Sequence, residues 1–129
     1  MTEMRILLVD DEEELVSTLA ERLSLRGIKA DWATSGEEAL KMAQEELYDL
    51  AVLDVKIPRI SGIELERKLK EKHPNMKFIF MTGHGSEDDF KDGSAEAGAE
   101  YYLVKPVNIE HLIDKMNQAL KREEAHHEL

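Results

Sequence analysis

The sequence predicts an α/β fold built on a five-stranded parallel sheet with helices on both faces. Three observations predict it. Short continuous apolar runs recur along the chain, stretches with helical apolar spacing lie between them, and the two kinds alternate strictly. A strand covered on both faces reads as an unbroken apolar run rather than as an alternation, because neither face meets water.

Arg5–Val9, Leu50–Leu53 and Lys77–Met81 are runs of this kind, and Lys29–Ala33 and Tyr101–Val104 are weaker ones. The first helical stretch, Glu13–Leu25, carries Leu15, Val16, Leu19 and Leu23 on one side and is ended by Gly27. The second, Glu37–Glu46, carries Ala39, Leu40 and Ala43, with Leu47 just beyond. Ser35 is placed to cap it and Glu38 to complete a capping box. The third, Ile63–Glu71, carries Ile63, Leu65 and Leu69 and stops before Pro74. The fourth, Glu87–Ala97, is the least apolar and is closed by Gly98. The fifth, Ile109–Arg122, is entered through Asn108 and carries Ile109, Leu112, Ile113, Met116 and Leu120. Alternation of this kind implies right-handed crossovers. With five strands, the leading arrangement is a flavodoxin-like (βα)5 doubly wound sheet in the order 2-1-3-4-5. Residues 1–122 form the expected domain, and residues 123–129 read as a C-terminal tail or an arbitrary end of the chain.

The 129 residues suit one domain that buries enough surface to need no crosslinks. There is no cysteine, which excludes a disulfide framework, a thiolate metal site and a cysteine nucleophile. The chain shows no secretory leader and no apolar run near the ~20 residues that span a bilayer, so a soluble, cytoplasmic protein is expected. The 28 acidic against 17 basic residues argue against direct nucleic-acid binding and against docking on an anionic membrane. Most of the glutamates read as a solvated helical surface.

In open sheets of this kind, ligands bind beyond the carboxyl ends of the strands at the switch point. The residues expected there are Asp10 and Asp11 after the first strand and Asp54 at the end of the third. Thr82 and Gly83 follow the fourth, and Lys105 and Pro106 follow the fifth. Crowded carboxylates repel unless compensated. A Mg2+ ion, which takes oxygen ligands and keeps several waters, suits Asp10, Asp11 and Asp54. Lys105 adds a fixed positive charge and Thr82 a hydroxyl donor. That set suits a phosphoryl group, whose transfer is catalysed mainly by positioning and charge stabilisation. A carboxylate can serve as the nucleophile and form an acyl phosphate, and Asp54, on the central strand, is best placed for it. Taken singly, each residue has a plainer reading: Asp10 or Asp11 as a helix cap, Asp54 or Thr82 as turn chemistry, Lys105 as a surface lysine. The conjunction after four different strands carries the functional reading.

These motifs resemble the response-regulator receiver family of two-component signal transduction, chemotaxis-regulator-like, over essentially the whole chain. Ile6–Leu7–Leu8–Val9–Asp10–Asp11–Glu12 resembles its first strand and acidic pair. Asp54 with Pro58 and Gly62 resembles its phosphoacceptor loop, Met81–Thr82–Gly83 its switch-threonine segment, and Tyr102–Leu103–Val104–Lys105–Pro106 its closing segment. The resemblance implies that Asp54 receives a phosphoryl group from a histidine kinase or phosphotransfer protein. It implies Mg2+ bound by Asp11, Asp54 and the backbone carbonyl of Lys56, with Asp10 acting through a water. Thr82, Gly83 and Lys105 would contact or make room for the phosphate. Thr82 and Tyr102 would switch the face of the fourth helix, fifth strand and fifth helix toward a downstream protein or output domain, and the Lys105–Pro106 bond would be cis. It further implies a phosphoacceptor that assists its own phosphorylation and dephosphorylation rather than an enzyme in its own right.

Other readings stay open at this point. Lys56 and His84, each two residues past a site residue, either tune access of the water that hydrolyses the phosphate or face solvent. His73, His111, His126 and His127 read as surface residues, and Gly83 with Gly85 makes no dinucleotide fingerprint. The same fold can serve as a phosphorylation-independent interaction module, although the complete set of site residues disfavours that. A phosphatase with an Asp nucleophile is disfavoured by Lys56, where such enzymes place a second acid. A stand-alone regulator, a receiver cut from a larger regulator or hybrid kinase, and a homodimer are all compatible with the sequence.

Overall fold

In the computed structural model of the protein, residues 4–83 and 102–128 are described, with side chains as far as residue 120. The strands are β1 (Arg5–Val9), β2 (Lys29–Ala33), β3 (Leu50–Asp54), β4 (Lys77–Thr82) and β5 (Tyr102–Val104). All neighbours pair in parallel, in the order β2-β1-β3-β4-β5, as the alternation predicted. The helices among the described residues are α1 (Glu13–Ser24), α2 (Gly36–Glu45), α3 (Gly62–Lys72) and a C-terminal helix, α4 (Ile109–Glu128). The Glu87–Ala97 helix expected from the sequence lies outside the described residues, as do His84 and Gly85.

The central strands are covered on both faces. On β1, Ile6 and Leu8 pack with Leu50, Val52, Ile79, Met81 and Leu103 beneath α1 and α4. The intervening Leu7 and Val9 pack with Ala51, Leu53 and Phe80 beneath α2 and α3. The continuous apolar run is thus two alternating half-cores sharing one backbone. Fully burying such a side chain is worth about 1.5–3 kcal/mol, so the central strands anchor the sheet.

Local chemistry sets the helix ends. Ser35 Oγ accepts the Glu38 N–H at 3.1 Å, and Glu38 Oε1 reaches back to the Thr34 N–H at 2.8 Å. The capping box therefore closes one residue earlier than its usual form. Ser61 caps α3 in the same way, accepting the Glu64 N–H at 3.1 Å. Gly27 takes φ +78° as the chain leaves α1, where the Gly27 and Ile28 N–H groups bond back to Ser24 and Leu23.

Ends of α1, α2 and α3 differ from expectation by one residue, and three other boundaries differ as well. β3 and β4 each run one residue further, so Asp54 and Thr82 are the last residues of their strands, in register with Met81 and Val104. α4 continues past Arg122 to Glu128, so the segment after Arg122 is helical as far as Glu128. It contains neither Gly nor Pro to end the helix. Among the described residues, no helix is long and apolar enough to cross a membrane.

Candidate functional site

The carboxyl ends of β1 and β3 lie side by side at the centre of the sheet. The chain crosses from one to the other by way of β2 at the edge, which makes this the switch point of the topology. Asp10 follows β1 directly. Its backbone N–H bonds the Ala33 carbonyl at 3.2 Å, and its Oδ1 accepts the Glu12 N–H at 2.9 Å. Asp10 is fully buried, Asp54 nearly so, and Asp11 is exposed. One carboxylate oxygen from each of the three lies within 4.8 Å of the others.

Lys105, carried in from the end of β5, is the positive charge facing this group. Its Nζ lies 2.6 Å from Asp10 Oδ2, 3.0 Å from Asp54 Oδ2 and 3.1 Å from Glu12 Oε1. The Asp10 contact is close but off the line a hydrogen bond needs, so Asp10 Oδ2 is buried without a hydrogen bond. Burial raises the Asp10 carboxyl from its ordinary 3.8 to about 6. Lys105 and the Glu12 N–H oppose that rise, and the Asp54 charge adds to it. Burial also works against the Lys105 ammonium. Its contacts with Asp10, Asp54 and Glu12 outweigh burial and hold its pKa above the ordinary lysine value.

Backbone packing fixes where Asp54 stands. The Val55 N–H bonds the Met81 carbonyl at 3.0 Å, the Gly62 N–H bonds the Val55 carbonyl at 2.8 Å, and the Lys56 N–H bonds Asp54 Oδ1 at 3.2 Å. Gly62, the first residue of α3, sits so close that a β-carbon there would lie 2.1 Å from the Asp54 carbonyl oxygen. Glycine is required because the obstacle is backbone and cannot turn aside.

Thr82 is fully buried, and its hydroxyl donates to the Leu103 carbonyl at 3.5 Å, the outer limit of a hydrogen bond. Its carbonyl accepts the Lys105 N–H at 2.8 Å, tying the end of β4 to the residue that brings in the ammonium. The Lys105–Pro106 peptide bond is cis. Tyr102 is half exposed on the edge strand, and Gly83 is partly buried beyond Thr82.

The structure therefore brings Asp10, Asp11, Asp54 and Lys105 together. His84 lies outside the described residues. Sequence reasoning named Glu12 within a motif but assigned it no role, although three consecutive acids after a strand were the available signal. It also missed the approach of Gly62 to the Asp54 backbone and the buried Glu66 of α3, whose carboxyl burial raises.

Whether this group suits a divalent cation is a question about its oxygens. It offers three converging carboxylates, one of them with a buried oxygen that lacks an aligned hydrogen bond, against one ammonium shared with Glu12. A hard cation with oxygen ligands would supply the missing positive charge and satisfy that oxygen, so the residues fit Mg2+.

Comparison with known proteins agrees with this geometry. The family model described as "Response regulator receiver domain" matches residues 6–117. The two-component response regulator PhoP of Pseudomonas aeruginosa is 37% identical over 119 residues, covering 92% of this chain and 52% of that protein. The alkaline phosphatase synthesis transcriptional regulatory protein PhoP of Bacillus subtilis is 37% identical over 120 residues, covering 93% of this chain and 50% of that protein. The chain thus spans about half the length of these curated relatives. The crystal structure of a CheY-like response regulator receiver domain protein from Methanospirillum hungatei superposes with a TM-score of 0.87 at 33% identity, covering 97% of this chain and 99% of that one. The chain belongs to the response regulator receiver domain family.

Proposed function

We propose that the chain is a phosphoacceptor switch of a two-component phosphorelay, with Asp54 as the acceptor. The observation that carries this reading is the three-carboxylate group at the switch point, held against the single ammonium of Lys105, with Asp10 Oδ2 buried in an ion pair but without an aligned hydrogen bond. In the transfer, an Asp54 carboxylate oxygen attacks the phosphorus of a phosphohistidine on a partner kinase or phosphotransfer protein. The P–N bond breaks, an acyl phosphate forms, and the leaving imidazole takes a proton. Asp11, Asp54 and the Lys56 carbonyl would hold Mg2+, with Asp10 acting through a water. The ion would supply charge stabilisation on the phosphoryl oxygens.

Lys105 already sits against Asp54 and serves as the fixed cation for the arriving group. Thr82 stands at the end of the neighbouring strand with only a long bond to Leu103, a partner it can exchange for a phosphoryl oxygen at small cost. Gly83 leaves room beside it. Tyr102, half exposed on β5, is the side chain that turns inward when Thr82 moves. The change would thus reach β5 and the helices beside it, and through them a downstream protein or output domain. Lys56 and His84 are placed by sequence to tune the water that ends the signal. On this reading residues 1–122 are the receiver and the remainder belongs to a tail, the protein works in the cytoplasm, and it turns over no substrate beyond its own acyl phosphate.

Incubation with a small acyl phosphate and Mg2+, followed by intact mass measurement, tests the proposal. One phosphoryl mass should be gained by the wild type and none by Asp54→Asn. A gain that persists in Asp54→Asn would remove Asp54 from the role.

A further inference from the structure

The loop after Asp54, residues 55–61, is held from two sides. At its start, the Val55 N–H bonds β4 at Met81, and the Gly62 N–H returns to the Val55 carbonyl. Its middle is held by a different element, the first turn of α2. Ile57 is buried in the core beneath α2 and α3, and Ile60 packs against the same cluster. Ile60 fills a notch at Gly36, the first residue of α2. A β-carbon on Gly36 would lie 2.4 Å from both Cγ1 and Cδ1 of Ile60 and 3.8 Å from Ile57 Cδ1. One residue away, Arg59 Nη1 pairs with Glu37 Oε1 at 2.6 Å. Arg59 holds a left-handed φ of +72°, a conformation that non-glycine residues adopt only when their surroundings impose it.

Lys56 lies between these two anchorages, and the proposed function makes its carbonyl a metal ligand. Ile57 follows Lys56 directly and Ile60 lies in the same short loop, so a displacement of either is passed to that carbonyl through the backbone. The ion pair is exposed on both sides and contributes little. The seat of Ile60 on Gly36 is the stronger restraint: a methyl group there must push the end of the partly buried Ile60 side chain aside, and the loop that carries Ile60 with it.

We infer that the notch between Gly36 of α2 and Ile60 positions the Asp54–Lys56 segment and so sets the Mg2+ affinity of the site. Gly36 and Ile60 are positioning residues, and α2 becomes a structural support of a centre to which it contributes no ligand. The inference rests on the proposed metal site.

The test is calorimetric titration of the full 129-residue chain with Mg2+ alone, comparing wild type, Gly36→Ala, Ile60→Ala and the double variant, with circular dichroism to confirm folding. Gly36→Ala should weaken Mg2+ binding about tenfold, the scale of effect seen when supports behind metal ligands are disturbed. Ile60→Ala should weaken it less. The double variant should bind better than the product of the two effects, because removing the Ile60 side chain relieves the clash with the new methyl group. Arg59→Ala should change affinity by no more than about twofold. Wild-type affinity in both folded single variants would overturn the inference, and so would effects that simply multiply. Should Gly36→Ala fail to fold, unchanged affinity in Ile60→Ala decides against it. A wild-type chain that takes up no Mg2+ overturns the metal reading itself, and the inference with it.

Discussion

The two edges of the same sheet handle buried charge in opposite ways. At the amino edge, Arg5 lies between Glu46 and Asp31, with its guanidinium 5.6 Å from the centre of the Tyr48 ring. The Tyr48 hydroxyl donates to Asp31 Oδ2 at 2.7 Å, and the Arg5 N–H donates to Asp49 Oδ2 at 2.8 Å. At the carboxyl edge, Asp10, Asp11, Glu12 and Asp54 face Lys105. Among the described residues, each edge keeps one buried side-chain atom without a hydrogen bond: Arg5 Nε at one and Asp10 Oδ2 at the other. The difference is in sign. Arg5 Nε is a cationic donor surrounded by carboxylates and a ring face, so its surroundings favour it even without a partner. Asp10 Oδ2 is a buried anionic acceptor whose counter-charge, the Lys105 ammonium, is shared with Asp54 and Glu12, and burial penalises its charged form. The first edge surrounds its one cation with carboxylates; the second shares one ammonium among several carboxylates.

The largest expected effect comes from disturbing the backbone that holds the carboxyl edge. Gly62→Ala should destabilise the protein by about 3 kcal/mol, measured by urea unfolding, because the new methyl group meets the Asp54 carbonyl. A loss below about 0.5 kcal/mol would show that this junction can relax.

Lys105→Ala comes next. Removing the ammonium leaves buried carboxylates uncompensated, and the metal-free chain should lose about 2–3 kcal/mol. Mg2+ should restore part of that loss. The corresponding change at the amino edge should be indifferent to Mg2+, and a variant there that responded equally would erase the contrast drawn above.

Asp10 offers a pH test of smaller size, in the opposite direction. Its folded pKa, about 6, lies above the ordinary 3.8, so folding favours the protonated acid. The stabilisation is fully present below the ordinary value and is lost as pH rises through about 6. Without Mg2+, wild type should therefore become less stable relative to Asp10→Asn between about pH 4 and pH 7. The variant, neutral throughout, should be the more stable protein at pH 7. Thermal melts across that range read the crossing. Curves that stay parallel would mean that Asp10 is adequately compensated by Lys105 alone.

Tyr48→Phe should have the smallest effect, about 1 kcal/mol, through loss of one hydrogen bond to a carboxylate that water can still reach. Neither Mg2+ nor pH between 5 and 7 should alter it.

The alternation of apolar runs and helical spacings determined the fold class, because a strand buried on both faces and an amphipathic helix impose different periods on a sequence. The strand order was the leading flavodoxin-like arrangement for five alternating units, and the sheet adopts it. The candidate site residues were legible only in conjunction, since each stands immediately after or at the end of a different apolar run. Ser35 and Glu38 were equally readable as a cap, because capping is local chemistry over four residues.

Tertiary structure alone decided the rest. Asp10 Oδ2 lacks a hydrogen bond because of where Lys105 arrives from β5, a meeting of residues 95 positions apart that no local pattern encodes. The need for glycine at 62 is a property of the Asp54 backbone facing it, as the fit at Gly36 is of the Ile60 side chain, and neither is visible in a helix-start pattern. The amino-edge network joins Arg5, Asp31, Glu46 and Tyr48 from separate elements and reads in the sequence as scattered surface charge. Periodicity and capping are written along the chain. Close packing and charge compensation depend on distances across the sheet, and the fold sets those.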